Sequence, residues 1–250
     1  MTRKIKLEAD SKLVDVIFLD IDGVLLPFGD VVANTTYTDG CIFPDRNMDA
    51  LTELLQKMSA ISPAQASTES NADSTLKHKL DIAGTLIEGN PVLVLSSTWR
   101  ARPAFITDIL SSFRSYVGAR KDDVQLQRTW RPHLDFFFDV VDPTFHASRH
   151  EEIYKWIDDH VETSTKSNLW AGGLDVTTHI ARRKFIVRSW IALDDEDLVN
   201  VFDGRGDTVN HAIKTTSSLG LTSDLVDFAV SLISNQFLAY HGSWNIMVDS

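Results

Sequence analysis

Three short stretches of the 250-residue chain carry residue types suited to chemistry on an anionic group held beside a cation. In FLDIDGVLLP, Asp20 and Asp22 are two carboxylates one residue apart, followed by Gly23. That pairing suits a hard cation together with an exposed nucleophile. In VLVLSSTWR, Ser96, Ser97 and Thr98 precede Arg100 at an expected helix start, where hydroxyls and backbone N–H groups hold phosphate oxygens. In WIALDDEDL, Asp194 and Asp195 form a second pair of carboxylates. Each stretch has an ordinary reading by itself: a turn for Asp-x-Asp-Gly, helix caps for the hydroxyls, and a helix N-terminus for the acidic run.

The elements that must position these residues follow from the hydrophobic pattern. Continuous apolar runs at Val14–Leu19, Val92–Leu95, Phe136–Val141 and Phe185–Leu193 have the character of strands buried on both faces. Helical patterns lie at Asp45–Met58, Pro103–Tyr116, Arg149–Val161 and Ser223–Ser234. This alternation predicts a single α/β domain over 1–250 with a doubly wound parallel sheet. In such sheets ligands bind beyond the carboxyl ends of the strands, where all three polar stretches fall. Two insertions interrupt the pattern: 62–85, which begins with the small polar run Ser62–Ser74, and 158–184, a loop or a small cap.

Taken in order, DxDG after an apolar strand, Ser at the end of the next and Asp-Asp at the end of the last resemble the haloacid dehalogenase (HAD) superfamily of aspartate-nucleophile phosphotransferases, with its Rossmann-like core. SSTWR, the Arg149-His150-Glu151-Glu152-Ile153 turn with Trp156, and HAIKTTSSLGLT resemble the HAD-like branch associated with Swiss Army Knife RNA-repair proteins. The resemblance implies a phosphatase in which Asp20 attacks phosphorus and becomes an aspartyl-phosphate, while Asp22 acts as acid and then base. It implies Mg²⁺ held by Asp20, the backbone carbonyl of Asp22, and Asp194 or Asp195. Ser96 would bond a phosphoryl oxygen, with Ser97 and Arg100 as further phosphate ligands. The basic residue of the third motif is Arg149, with Lys155 as its rival nearly two turns along the helix. Val24 stands where the superfamily usually has threonine.

Composition bounds the partners. A net charge of −11 argues against a surface that binds nucleic acid or anionic membrane everywhere, and no apolar stretch is long enough to span a bilayer. Residues 100 to 131 nevertheless hold seven basic side chains against three acidic ones, with Phe113 and Trp130 interspersed as potential stacking platforms for a base. With these bounds, the resemblance implies a phosphorylated small molecule or nucleotide as substrate, with a nucleic-acid end and a noncatalytic phospho-ligand or partner-binding module as the alternatives. The single cysteine, Cys41, rules out an intramolecular disulfide framework and fits a reducing compartment, cytoplasm or nucleus. His146 and His150 lack a third ligand for zinc.

Overall fold

The computed structural model describes residues 12–29, 35–66, 90–135, 138–161, 185–198 and 210–245. Five strands form one sheet: β1 (Lys12–Leu19), β2 (Val92–Leu95), β3 (Phe138–Val140), β4 (Phe185–Asp194) and β5 (Ala212–Lys214). Their spatial order is β3-β2-β1-β4-β5 and every pairing is parallel. Five α-helices are described: α1 (Asp45–Ala66), α2 (Pro103–Ala119), α3 (Val124–Asp135), α4 (Arg149–Val161) and α5 (Ser223–Asn245). A short 3₁₀ turn, Thr98–Ala101, precedes α2. No helix among the described residues is long and apolar enough to cross a membrane.

Strand β1 shows why the fold needs apolar runs without alternation. Ile17 and Leu19 enter one core with side chains from α1, α2, α3 and α5, whereas Val14, Val16 and Phe18 enter a second with Ile153 and Trp156 of α4. The first two crossovers run outward from β1 over one face, and α4 covers the other as the chain returns across the sheet to β4. Opposite faces for opposite directions are what right-handed crossovers require. The reversal leaves a topological switch point between β1 and β4, the place where such sheets bind ligands.

The register of this pair includes a shift between Val14 and Asp15. There Asp15, buried in mid-strand, accepts hydrogen bonds from Arg188 and from Ser189 Oγ, the latter at 2.7 Å. A carboxylate is tolerable at that depth because both kinds of partner reach it.

The expected α/β class and four of the five strands agree with the structure, but several boundaries move. Helix α1 continues to Ala66, past Pro63 and through the first residues of the expected insertion at 62–85, an extension that local helix propensity does not explain. Helix α4 has the bounds its pattern predicts, Arg149–Val161, and so overlaps the first residues of the expected insertion at 158–184. The remainders, 67–85 and 162–184, lie outside the described residues.

Phe113 and Trp130 are almost wholly buried among Tyr116, Phe43 and the α1 face, so neither presents a ring to a base. Trp130 Nε1 donates to Thr52 Oγ1 at 2.8 Å, which satisfies its polar atom inside the core. Cys41 is buried as well.

Asn47, in the first turn of α1, fastens two loops above the carboxyl edge of the sheet. Its fully buried Nδ2 donates to Leu219 O at 2.9 Å and Leu221 O at 3.0 Å, and lies 3.4 Å from Val24 O. Asn47→Ala leaves these carbonyls short of a donor, and we expect it to lower unfolding free energy by about 2 kcal/mol, within the usual range for stranded buried acceptors. Urea denaturation measures this; a midpoint equal to wild type would show that the loops are held by other means.

Candidate active site

The strand register builds the site. Leu19 pairs with Leu95 on one side and Leu193 on the other, so the next residues, Ser96, Asp20 and Asp194, stand in one row across the sheet's carboxyl edge. Two backbone bonds continue that row: Ser96 N to Leu19 O and Asp20 N to Leu193 O, both 3.0 Å. Asp195 follows in the turn after β4. Carboxylate oxygens of Asp20, Asp194 and Asp195 lie within 4.8 Å of one another, the one group of three potential metal ligands among the described residues.

Arg149 meets this cluster from the other face of the sheet. Its Nη2 is 3.9 Å from Asp20 Oδ1 and its Nε is 3.3 Å from Asp194 Oδ2. At the start of helix α4 the Glu151 side chain reaches back over the first turn, its Oε2 accepting from Ser148 N at 3.1 Å and from the Ser148 hydroxyl at 2.6 Å, the carboxylate half of a capping box. The rival basic residue, Lys155, is bonded to Asp159 on its own helix, and so the geometry brings Arg149 and not Lys155 to the carboxylates.

Burial sets the electrostatics. Asp194 is 1 % exposed, and burial raises its carboxyl to about pH 7; Arg149 opposes the rise and Asp20 adds to it. Asp20 is raised for the same first reason, with Arg149 and a hydrogen bond from the Ser97 hydroxyl pulling the other way. One guanidinium does not balance the cluster, and a divalent cation would.

The donor set also fits one chemically. It is all oxygen, as a hard cation prefers, and Asp194 Oδ2 is buried and accepts no hydrogen bond among the described residues although Arg149 lies nearby. Gly23 leaves the needed space: its φ is +67°, and a Cβ there would stand 2.3 Å from Asp195 Oδ2.

The other expected residues are placed as follows. Asp22 is half-buried, and its Oδ2 accepts from Trp99 Nε1 at 3.0 Å; its carboxylate is outside the three-carboxylate cluster. Ser96 is 1 % exposed, and its Oγ has no partner among the described residues. Ser97 caps the 3₁₀ turn, accepting from Trp99 N at 3.4 Å, besides its bond to Asp20.

Arg100 departs from the phosphate-ligand role expected of it. Its Nη1 donates to Ser96 O at 2.8 Å and Ser97 O at 3.0 Å, and its Nη2 is bonded to Glu152 of α4, so both terminal nitrogens face protein acceptors. The HAIKTTSSLGLT stretch also brings two residues to the site to which its resemblance assigns no role, Thr215 and Ser217. Thr215 Oγ1 donates to Gly23 O at 2.7 Å and Ser217 Oγ to Asp195 Oδ2 at 2.7 Å. The signal was present in TTSS, directly after β5, but that strand is too short to stand out from periodicity.

An all-parallel α/β sheet with carboxylates gathered at its switch point, one arginine among them and a serine one strand away, defines a Rossmann-like protein of the HAD kind. The family model described as the HAD domain in Swiss Army Knife RNA repair proteins matches residues 16–172, and the chain belongs to that family. Its membership goes with activity of the phosphatase or hydrolase type. The matched span contains Asp20, Asp22, Ser96 and Arg149 and ends before Asp194. Comparisons with curated proteins and with solved structures gave no match.

The raised Asp194 carboxyl has a pH consequence. A carboxyl whose folded pKa exceeds its ordinary 3.8 favours the folded state fully below that value, and the contribution is lost as pH rises toward about 7. Metal-free protein should therefore lose stability from this group between these limits, and Mg²⁺ should restore more at pH 8 than at pH 5. Melting curves in chelator and in Mg²⁺ at both pH values measure this; an equal Mg²⁺ increment at the two would contradict it. Gly23→Ala, which drives a methyl into Asp195, should weaken the Mg²⁺ increment at pH 8.

Proposed function

We propose that the protein is a Mg²⁺-dependent phosphomonoester hydrolase that works through an aspartyl-phosphate on Asp20. The observation that carries the reading is a convergence of unsatisfied polar atoms. Ser96 Oγ, Arg149 Nη1 and Asp194 Oδ2 are all buried without a hydrogen-bond partner among the described residues, and all belong to residues at the carboxyl-edge site. Buried polar atoms are normally satisfied, and an entering phosphoryl group with its cation offers an acceptor to two of these atoms and a positive charge to the third.

In this mechanism an Asp20 carboxylate oxygen attacks phosphorus, and the bond to the leaving oxygen breaks with its electron pair. Asp22 gives that oxygen a proton, and the alcohol departs. Water then attacks the phosphorus of the aspartyl-phosphate, giving a proton to Asp22; the phosphorus–Asp20 bond breaks, releasing inorganic phosphate and restoring both carboxyl groups. Ser96 Oγ donates to a phosphoryl oxygen, and Arg149 supplies positive charge from the opposite side of Asp20. Mg²⁺, held by Asp20, Asp194 and Asp195 with the Asp22 carbonyl, would offset the charge of nucleophile and phosphate. Arg100 orients the Ser96–Ser97 backbone and does not touch substrate.

The substrate class is a phosphorylated small molecule or nucleotide. A nucleic-acid end is the second reading, favoured by the RNA-repair family and by the exposed Arg102, Arg114, Lys121, Arg128 and Arg131. With Phe113 and Trp130 buried, that surface would act on the phosphate backbone by charge and not by base stacking. A reducing compartment, cytoplasm or nucleus, suits the single buried cysteine.

Hydrolysis of an aryl phosphate should require Mg²⁺, and Asp20→Asn should lower kcat on the order of 10³-fold or more. Activity that survives the substitution would remove Asp20 as nucleophile; absence of hydrolysis across aryl, metabolite and oligonucleotide phosphates would favour a binding module. Terminal dephosphorylation of an oligonucleotide that declines steeply with salt would select the second reading.

A further inference from the structure

The acid and base of this mechanism has an unexpected partner. Trp99 has the look of a packing residue, yet its Nε1 is 3.0 Å from Asp22 Oδ2. The indole is itself held: its backbone N–H is bonded to Ser97 Oγ, its carbonyl accepts from Arg102 N at 3.1 Å, and its ring lies against Phe105 with centroids 5.1 Å apart. The turn that carries it starts at Ser97, whose hydroxyl bonds Asp20. One short segment thus touches both carboxylates of the Asp-x-Asp pair.

We infer that Trp99 is a positioning residue that fixes which oxygen of Asp22 handles the proton. The inference rests on the hydrolase reading of the site. An indole N–H only donates, so the Asp22 oxygen facing it must stay an acceptor in both protonation states. That oxygen is Oδ2, which leaves Oδ1 to carry the proton transferred to the leaving oxygen and later taken from water. The turn after β1 fixes the backbone of Asp22, with Gly23 N bonded to Leu26 O at 2.8 Å, so the side-chain rotation that Trp99 restrains is the freedom that remains. Loss of the indole donor frees the carboxyl to present either oxygen or neither.

Leaving groups separate this role from simple packing. Phenolate leaves poorly without a proton, whereas 2,4-dinitrophenolate needs none. The quantity to compare is kcat/KM, which reports the steps through transfer to Asp20 and excludes the later hydrolysis. Trp99→Phe, which keeps a ring against Phe105, should lower kcat/KM for phenyl phosphate about tenfold or more and for 2,4-dinitrophenyl phosphate less than about threefold, as loss of well-aimed acid catalysis demands.

In an Asp22→Asn background the same substitution should change the phenyl phosphate rate by less than about twofold, because the group it positions is already gone. An equal loss on both substrates, no loss on either, or full additivity with Asp22→Asn would overturn the role while leaving the hydrolase reading intact. Asp20→Asn run alongside separates the other failure: if it is as active as wild type, or wild type cleaves neither ester, the hydrolase reading falls and the role of Trp99 with it.

Discussion

Negative charge concentrated at the switch point is the constraint around which the fold is arranged. Carboxylate oxygens in this cluster lie within 4.8 Å of one another, and two ionised groups at that distance repel by roughly 3 kcal/mol at an effective dielectric of 20. Arg149 provides one compensating charge, and it is itself 8 % exposed, so part of its attraction is spent on its own desolvation. Burial, with a smaller contribution from neighbouring carboxylates, raises the carboxyls of Asp20 and Asp194, and Arg149 offsets only part of that rise. A protein selected for stability alone would place apolar residues at these strand ends. The presence of the carboxylates beside Ser96 and Arg149, whose buried donors have no partner among the described residues, is what supports the proposal that a cation and an anion complete the site together.

Holding three mutually repelling groups in place requires a rigid surround, supplied by two loops bound to one another. The Gly23–Phe28 segment and the Thr215–Leu221 segment exchange backbone bonds, Phe28 N to Ser217 O at 2.7 Å and Leu221 N to Val24 O at 2.9 Å. Asn47 bonds both from below, and Gly220, with φ at +69°, lets Val24 O approach to where a Cβ would stand 2.3 Å away. Thr215 and Ser217 then reach Gly23 and Asp195 from the same loop. The position of Asp195 is thus determined by residues about two hundred positions apart in sequence, with α1 as the common anchor.

That distribution explains what was legible in the sequence. The strands that deliver Asp20, Ser96 and Asp194 announce themselves, because burial on both faces demands unbroken apolar runs, and the first polar residue after each run is a site residue for topological reasons. Strand β5 has three residues, and α3 contains Pro132, so neither stands out by period or propensity. Arg100 illustrates a deeper limit. An arginine following a serine-rich phosphate-binding stretch has the right chemistry for a ligand, but whether its fork meets an anion or a carboxylate depends on Glu152, which arrives from another helix. Trp99 and Asp22 are likewise joined by tertiary folding across 77 positions, and no local pattern reveals the bond.

The Arg100–Glu152 pair shows how the two halves of the site are kept in register. Both side chains are 6 % exposed, and a buried ion pair of this kind usually adds little net stability because desolvation consumes most of its attraction. Its geometry has the greater consequence. Arg100 holds the carbonyls of Ser96 and Ser97, the residues that face Asp20 from β2, while Glu152 lies one helical turn beyond Arg149, on the same side of α4. The guanidinium therefore links the hydroxyl arm of the site, from the Ser96–Ser97 turn, to its basic arm on α4. Any shift of α4 that withdrew Arg149 from Asp20 would also strain this bridge, and any shift of the Ser96 turn would be transmitted to α4. The two arms reach Asp20 from different elements, and this buried ion pair joins those elements directly.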